Sequence, residues 1–213
     1  MAVIWTKYKS HDDWTASRNG IGASEAGAVC NMGFKSSIEL WKEKVGEKKP
    51  DDISGNERVQ FGNDVEGPLR SLFRIMNPEY SLSFTKYTVL RRDDEYSFMF
   101  YTPDGWLTEK ATGKKGLYES KSSTCLSKKE WDKWAGKVPD GYYLQLLHGM
   151  FVGDFDFAVL FAILLNSEKD AEIRAYRIER ADCQKDMEYL LEKEAEFWKA
   201  VESKTLPKLS ITF

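Results

Sequence analysis

Two short motifs, ThrProAspGly at 102–105 and TyrGluSerLys at 118–121, supply residue types that hydrolytic metal chemistry uses. Glu119 and Lys121 lie two apart in a segment that reads as a strand, and side chains two apart on a strand project to the same face. The backbone carbonyl of Ser120 lies between them. Asp104 ends the preceding strand, and a hairpin can bring it beside Glu119. Two carboxylates and a carbonyl form a hard oxygen cage that suits Mg²⁺ or Mn²⁺ rather than zinc. A lysine next to such a cage can orient a water or help to deprotonate it, which is the equipment for metal-assisted phosphodiester hydrolysis. The same spacing also describes a plain ProAspGly turn followed by an edge strand with an ion pair.

Three further features bear on that choice. Glu66 falls on the otherwise apolar face of a helix from about Asn56 to Met76, traced by Val59, Gly62, Val65, Leu69, Leu72, Phe73 and Met76. A carboxylate there has to be neutralised, paired or metal-bound, and Arg70 is its ordinary partner. Gln145 lies on the helix that follows Pro139, where it can face the same cleft. The run SerArgAsnGlyIleGlyAlaSer at 17–24 places Arg18 and Ser24 at a helix start, a combination of donors that suits an anion.

The elements that must position these residues are legible in outline. Residues 1–46 read as mostly helical, with Ser24 capping a short helix and a second helix from Ser37 to Val45. A polar loop follows at 47–56, and Pro78 closes the long helix. Strands are expected at 83–90, 96–101, 106–109 and 116–121 as a meander, then at 155–165 and 172–179. Leu144, Leu147, His148 and Phe151 mark the helix after Pro139. Met187, Leu190, Leu191, Glu194, Phe197, Trp198 and Val201 mark an amphipathic helix over 182–202. This order predicts one α/β (α+β) domain spanning 1–213, with a single sheet flanked by helices.

Composition narrows the class. The chain has 213 residues, 31 Lys plus Arg against 34 Asp plus Glu, and a net charge of −3, which excludes a uniformly basic nucleic-acid coat but leaves room for a basic groove. Lys114, Lys115 and the lysines at 128–133 are candidates for phosphate contact. Cys30, Cys125 and Cys183 are scattered without a CxxC pair, so neither a disulfide framework nor a zinc clip is expected. His11 and His148 are too few for a histidine metal site. The start of the chain carries no signal-peptide-like run, and the apolar stretch 155–165 is too short to span a bilayer, so a cytoplasmic protein is expected. Trp131 and Trp134, set among lysines, could stack on bases, but packing of a short helix is the favoured role.

Taken in order, six motifs resemble the YqaJ-type viral recombinase, or lambda-exonuclease-like, branch of the PD-(D/E)XK nuclease superfamily. They are SerArgAsnGlyIleGlyAlaSerGlu at 17–25, LeuTrpLysGluLysValGly at 40–46, GluArgValGlnPheGlyAsnAspValGlu at 57–66, ProAspGly at 103–105, GluSerLys at 119–121 and TyrTyrLeuGlnLeuLeuHisGlyMet at 142–150. Ser120 stands where the family usually has an apolar residue, and Gly67 separates Glu66 from Pro68. The resemblance implies a restriction-endonuclease-like core with a central mixed sheet. It also implies a phage-type, Mg²⁺-dependent exonuclease, with Mn²⁺ as a substitute, that digests one strand of duplex DNA from its 5′ end and leaves 3′ overhangs for recombination. It would be virus- or prophage-encoded and act in the host cell. By resemblance, Asp104, Glu119, Ser120 and Glu66 serve the metal site, which would hold two ions bridged by Asp104. Lys121 positions the water, and Arg18, Ser24 and Gln145 hold the phosphate at the strand end. Implied partners are double-stranded DNA ends, further copies of the chain in a trimeric ring, and a single-strand annealing protein, with no membrane involved. Two other readings compete: a structure-specific endonuclease with the same chemistry, and a non-catalytic DNA-binding protein on the same fold. The Arg18–Ser24 run favours end recognition over internal cutting, and intact Asp104, Glu119 and Lys121 favour catalysis.

Overall fold

A computed structural model describes residues 2–207 with the exception of 167 and 169. The chain opens on a strand, β1 (Val3–Lys7), followed by α1 (His11–Ser17), the two-residue β2 (Ile21–Gly22), a 3-10 turn at 23–25 and the one-turn α2 (Ala26–Val29). Helices α3 (Ser37–Lys44) and α4 (Glu57–Met76) come next, then β3 (Tyr80–Ser83), β4 (Thr88–Arg92), β5 (Met99–Tyr101), β6 (Gly105–Glu109) and β7 (Lys115–Thr124). The remainder is α5 (Lys128–Asp132), α6 (Asp140–Gly153), β8 (Phe157–Leu165), β9 (Ala171–Glu179) and α7 (Gln184–Glu202).

Side-chain caps define several helix starts. Ser36 and Glu39 form a reciprocal capping box at α3, Ser127 and Glu130 do the same at α5, and the Asn56 side chain accepts from the Arg58 backbone N–H at α4. Ser24 does not act as an N-cap. It lies exposed inside the 3-10 turn, where the chain has already begun to coil.

The strands form two sheets rather than the expected one. A five-stranded sheet runs β3-β6-β7-β8-β9, with β7 and β8 parallel and the other neighbours antiparallel. A four-stranded sheet runs β1-β4-β5-β2. The expected strand 83–90 is broken: β3 ends at Ser83 and β4 begins at Thr88. Tyr87 between them has φ of 62°, a left-handed conformation that interrupts a pleated strand and redirects the chain. β4 and β5 consequently leave the meander and pair in the smaller sheet. The predicted helical character of 1–46 fails at the same sheet, because residues 3–7 pair with β4 from Val3 opposite Arg92 to Lys7 opposite Thr88. That partner is about 85 residues away and leaves no local periodicity to read.

β8 lies between β7 and β9, and its run PheAlaValLeuPheAlaIleLeuLeu is buried along most of its length, as a strand covered on both faces requires. One face meets α4 through Leu69, Phe73, Tyr118, Phe157, Val159 and Phe161. The other meets α6, which also packs on β4, β5 and α7 and so joins the two sheets. Among the described residues no helix is long and apolar enough to cross a membrane.

A polar pair is buried in the α6–α7 contact. His148 on α6 and Glu194 on α7 are both fully buried, with Nδ1 2.7 Å from Glu194 Oε1 and Nε2 3.0 Å from the Phe100 carbonyl oxygen. A carbonyl only accepts, so Nε2 carries a hydrogen, and one further proton lies between Nδ1 and Oε1. The pair ties both helices to β5. Removing Glu194 leaves His148 Nδ1 buried without its partner. Replacing Glu194 with Ala should therefore lower the unfolding free energy by about 2 kcal/mol, read as a lower urea midpoint at unchanged slope. Glu194→Gln, whose amide can still hydrogen-bond to Nδ1, should lose less.

Candidate active site

The site begins where β6 stops pairing with β7. The last pair in their register is Gly105 with Tyr118, so Pro103 would next stand opposite Ser120. A proline has no N–H to give to the ladder. The Asp104 side chain takes over at this point: its Oδ2 accepts from the Ser120 backbone N–H and from Ser120 Oγ, both at 2.9 Å. In an extended strand the N–H and C=O of one residue leave toward the same edge. The Ser120 carbonyl therefore faces the edge that Asp104 occupies, opposite a residue that cannot donate to it. The Ser120 hydroxyl thus adds a second bond to the Asp104 carboxylate. Asp104 Oδ1 carries no hydrogen bond among the described residues.

Glu119 and Lys121 project together from β7, as the strand period requires, with Nζ 2.7 Å from Oε1. Glu119 is only 3% exposed. Its other contacts are the Tyr101 hydroxyl, which donates to Oε2 at 3.1 Å, and the Gln145 amide, which donates to Oε1. Burial, followed by the Asp104 charge, raises the Glu119 carboxyl to about 7, although Lys121 pulls the other way. Burial by itself would lower the Lys121 ammonium, but the Glu119 and Asp104 charges outweigh it and hold the group above its ordinary range. Lys121 is thus fixed as a cation beside the carboxylates. In this state it can orient a water and stabilise negative charge.

Glu66 faces the cluster from α4, and burial and the Asp104 charge raise its carboxyl. It is ion-paired with Arg70 on the same helix at 3.5 Å. The Arg70 guanidinium also donates to the Asp104 carbonyl oxygen at 3.3 Å and stacks 3.9 Å above the Phe84 ring. The ordinary partner of Glu66 is thus present, and it is also the clamp between α4 and the end of β6. Among the described residues no three His, Cys, Asp or Glu side chains close on one point as a ready-made cation site. The donor set nevertheless fits a hard divalent cation. Asp104 has an open oxygen, its charge repels both Glu119 and Glu66 in a way that a cation would relieve, and the Ser120 carbonyl lies on the same edge. Among the described residues no histidine or cysteine hydrogen-bonds to them.

The other expected residues fall into two groups. Gln145 reaches the cluster, and its amide is engaged with Glu119. Arg18 and Ser24 make no hydrogen bond or ion pair with the carboxylates among the described residues. The Arg18 guanidinium stacks over the Trp14 and Phe100 rings at 4.7 and 5.8 Å and hydrogen-bonds to no other described residue. Burial lowers its pKa. Trp134 is 2% exposed and Trp131 donates to the Cys125 carbonyl oxygen at 3.0 Å, so both pack the fold as favoured from sequence. Lys114 pairs with Glu179 at 3.6 Å and Lys115 with Thr108 at 2.8 Å, whereas Lys128, Lys129 and Lys133 are exposed and form no ion pair among the described residues. Tyr101 and Tyr142, whose ring lies 5.3 Å from Lys121 Nζ, were not anticipated, nor was the bond from Arg70 to the Asp104 carbonyl oxygen. Only Tyr142 had a signal in the sequence, because it precedes Gln145 by three on a helix and so shares its face.

The fold is a mixed α/β architecture, with this carboxylate–lysine cluster where β6 and β7 part. The family model of the YqaJ-like viral recombinase domain matches residues 13–156, and the chain belongs to that family. Among solved structures, it is similar to an alkaline exonuclease (LHK-Exo) from Laribacter hongkongensis, with a TM-score of 0.64 and 17% identity over 91% of this chain and 93% of that one. It is also similar to a phage-related exonuclease from Haemophilus somnus 129PT, with a TM-score of 0.57 and 14% identity over 90% and 99%. At these identities the likeness shows the fold. A sequence comparison with curated proteins gives no match.

The raised carboxyl of Glu119 has a consequence for stability. The folded state holds this proton more tightly than the unfolded chain does, so the contribution is present below the ordinary glutamate pKa and is lost as pH rises through about 7. In a chelating buffer the urea midpoint should fall between pH 5 and pH 8 by the equivalent of up to about 3 kcal/mol. Glu119→Gln should flatten that slope, and a divalent cation at pH 8 should restore the wild-type midpoint. A wild-type profile no steeper than that of Glu119→Gln would contradict the assignment.

Proposed function

We propose that this protein is a Mg²⁺-dependent DNA exonuclease, with Mn²⁺ as a substitute, that degrades one strand of linear duplex DNA from the 5′ end and leaves 3′ overhangs for recombination. The observation that carries the reading is the Asp104–Glu119–Lys121 cluster at the point where β6 and β7 part, on a chain of the YqaJ-like family. One similar structure is described as LHK-Exo in complex with dAMP, a single deoxynucleotide, which is the unit that stepwise digestion releases. The 5′ polarity rests on the family resemblance.

Asp104, Glu119 and the Ser120 carbonyl would hold the cation, with Glu66 contributing directly or through water. The cation supplies Lewis-acid stabilisation of charge on the phosphate oxygens. Lys121 holds the attacking water and adds fixed positive charge where negative charge develops. Gln145 and Tyr101 orient Glu119. Ser120 holds Asp104 with one oxygen facing outward. The guanidinium of Arg18, which forms no ion pair among the described residues, is proposed to take the terminal phosphate, with Ser24 nearby in sequence. From the resemblance we also assign a trimeric ring around DNA and cooperation with a single-strand annealing protein, and sedimentation velocity reads the first of these.

With Mg²⁺, linear duplex DNA should disappear while covalently closed circular DNA survives, and a 5′-phosphate should be cut faster than a 5′-hydroxyl. Lys121→Ala should reduce cleavage by at least about a thousandfold and leave DNA binding measurable by anisotropy. Nicking of the closed circle would favour an endonuclease. Loss of binding together with cleavage would contradict the role given to Lys121.

A further inference from the structure

Phe34 is 97% exposed, a large apolar ring left almost wholly in water. It does not sit on a loose loop. The Met32 N–H donates to the Gly27 carbonyl at 2.7 Å, and Asn31 Oδ1 accepts from the Ser37 N–H at 2.9 Å at the start of α3. The loop also lies backbone to backbone against its neighbours. A Cβ on Gly33 would stand 2.6 Å from the Ala28 nitrogen, and one on Gly141 would stand 2.8 Å from the Met32 carbonyl oxygen. Glycine at both positions lets the loop close onto the first turn of α6.

That contact sets Phe34 beside the catalytic cluster. Its ring centroid is 6.5 Å from that of Tyr142, at an interplanar angle of 58°. Tyr142 is backed on its other side by the buried Trp134 at 5.6 Å and lies 5.3 Å from Lys121 Nζ. Three residues further along the same helix face, Gln145 holds Glu119. The sequence of rings from Lys121 outward is therefore Tyr142, then Phe34, then solvent. A nucleotide whose phosphate sits at Lys121 must place its base some ångströms away, and this step offers an apolar surface on the Lys121 side of the cluster.

We infer that Phe34, supported by Tyr142, is a positioning residue that stacks on the base of the terminal nucleotide of the strand being degraded. This rests on the exonuclease reading above. Every base offers a π-face, so such a step holds the strand end without reading its sequence, which suits an enzyme that must advance through all sequences.

The test uses the full chain. Because Phe34 is exposed, Phe34→Ala should keep the wild-type melting temperature. With 2-aminopurine at the 5′-terminal position in a chelating buffer, wild type should quench the fluorescence on binding. Phe34→Ala should not, and Phe34→Trp should. With Mg²⁺, kcat/KM should fall about tenfold or more in Phe34→Ala. A terminal abasic nucleotide should slow wild type by a similar factor and leave Phe34→Ala with no further loss. Equal quenching by wild type and Phe34→Ala, or an abasic penalty that persists in Phe34→Ala, would overturn the inference. Quenching that depends on Phe34 in a protein that never cleaves would sustain the step and overturn the exonuclease reading. Absence of DNA binding by wild type would overturn both.

Discussion

A carboxylate taken out of water must be given partners, and Glu119, at 3% exposure, is the group whose needs organise this molecule. The Lys121 ammonium comes from the same strand, the Tyr101 hydroxyl from the smaller sheet, and the Gln145 amide from the helix between the sheets. Each donor belongs to a different layer, so the layers must be in register before Glu119 can be satisfied. The Asp104 charge opposes this arrangement, since it drives up the proton affinity of Glu119 and Glu66 together. Such mutual repulsion is what a divalent cation relieves.

The backbone beneath the cluster supplies the remaining geometry. Pro103 ends the β6–β7 ladder one step early, and the Asp104 side chain replaces the missing pairing by binding Ser120 twice. Arg70 fixes the other side, holding Glu66 and the Asp104 carbonyl from α4. The buried His148–Glu194 pair, through the Phe100 carbonyl, anchors β5 and hence Tyr101 next to it. Pieces far from the chemistry therefore bear on the placement of one carboxylate.

What could be read from the sequence was what depends on local spacing. The two-residue period put Glu119 and Lys121 on one face, the apolar face of α4 exposed Glu66 as the odd residue, and Gln145 was placed on the right helix. The long helices and the buried strand β8 were legible from periodicity for the same reason. The division into two sheets was not, because it turns on the left-handed Tyr87 and on the pairing of β1 with a distant strand. Tyr101 and the bond from Arg70 to the Asp104 carbonyl were missed because they arise from tertiary contacts and carry no pattern, whereas the Glu66–Arg70 pair could be read from its spacing of four. Arg18 and Ser24 were grouped with the site by motif, and they lie in a segment that makes no direct bond to the carboxylates.

The central claim is that Asp104 and Glu119 form a divalent-cation site whose charge repulsion the ion relieves. Calorimetric titration of Mn²⁺ into the protein, repeated at pH 6 and pH 8.5 in buffers of different ionisation enthalpy, tests it directly. The account predicts saturable binding that releases on the order of one proton at pH 6, with little release at pH 8.5, and weak or no binding by Asp104→Asn and Glu119→Gln. Absence of binding to wild type, or equal binding by both variants, would contradict it.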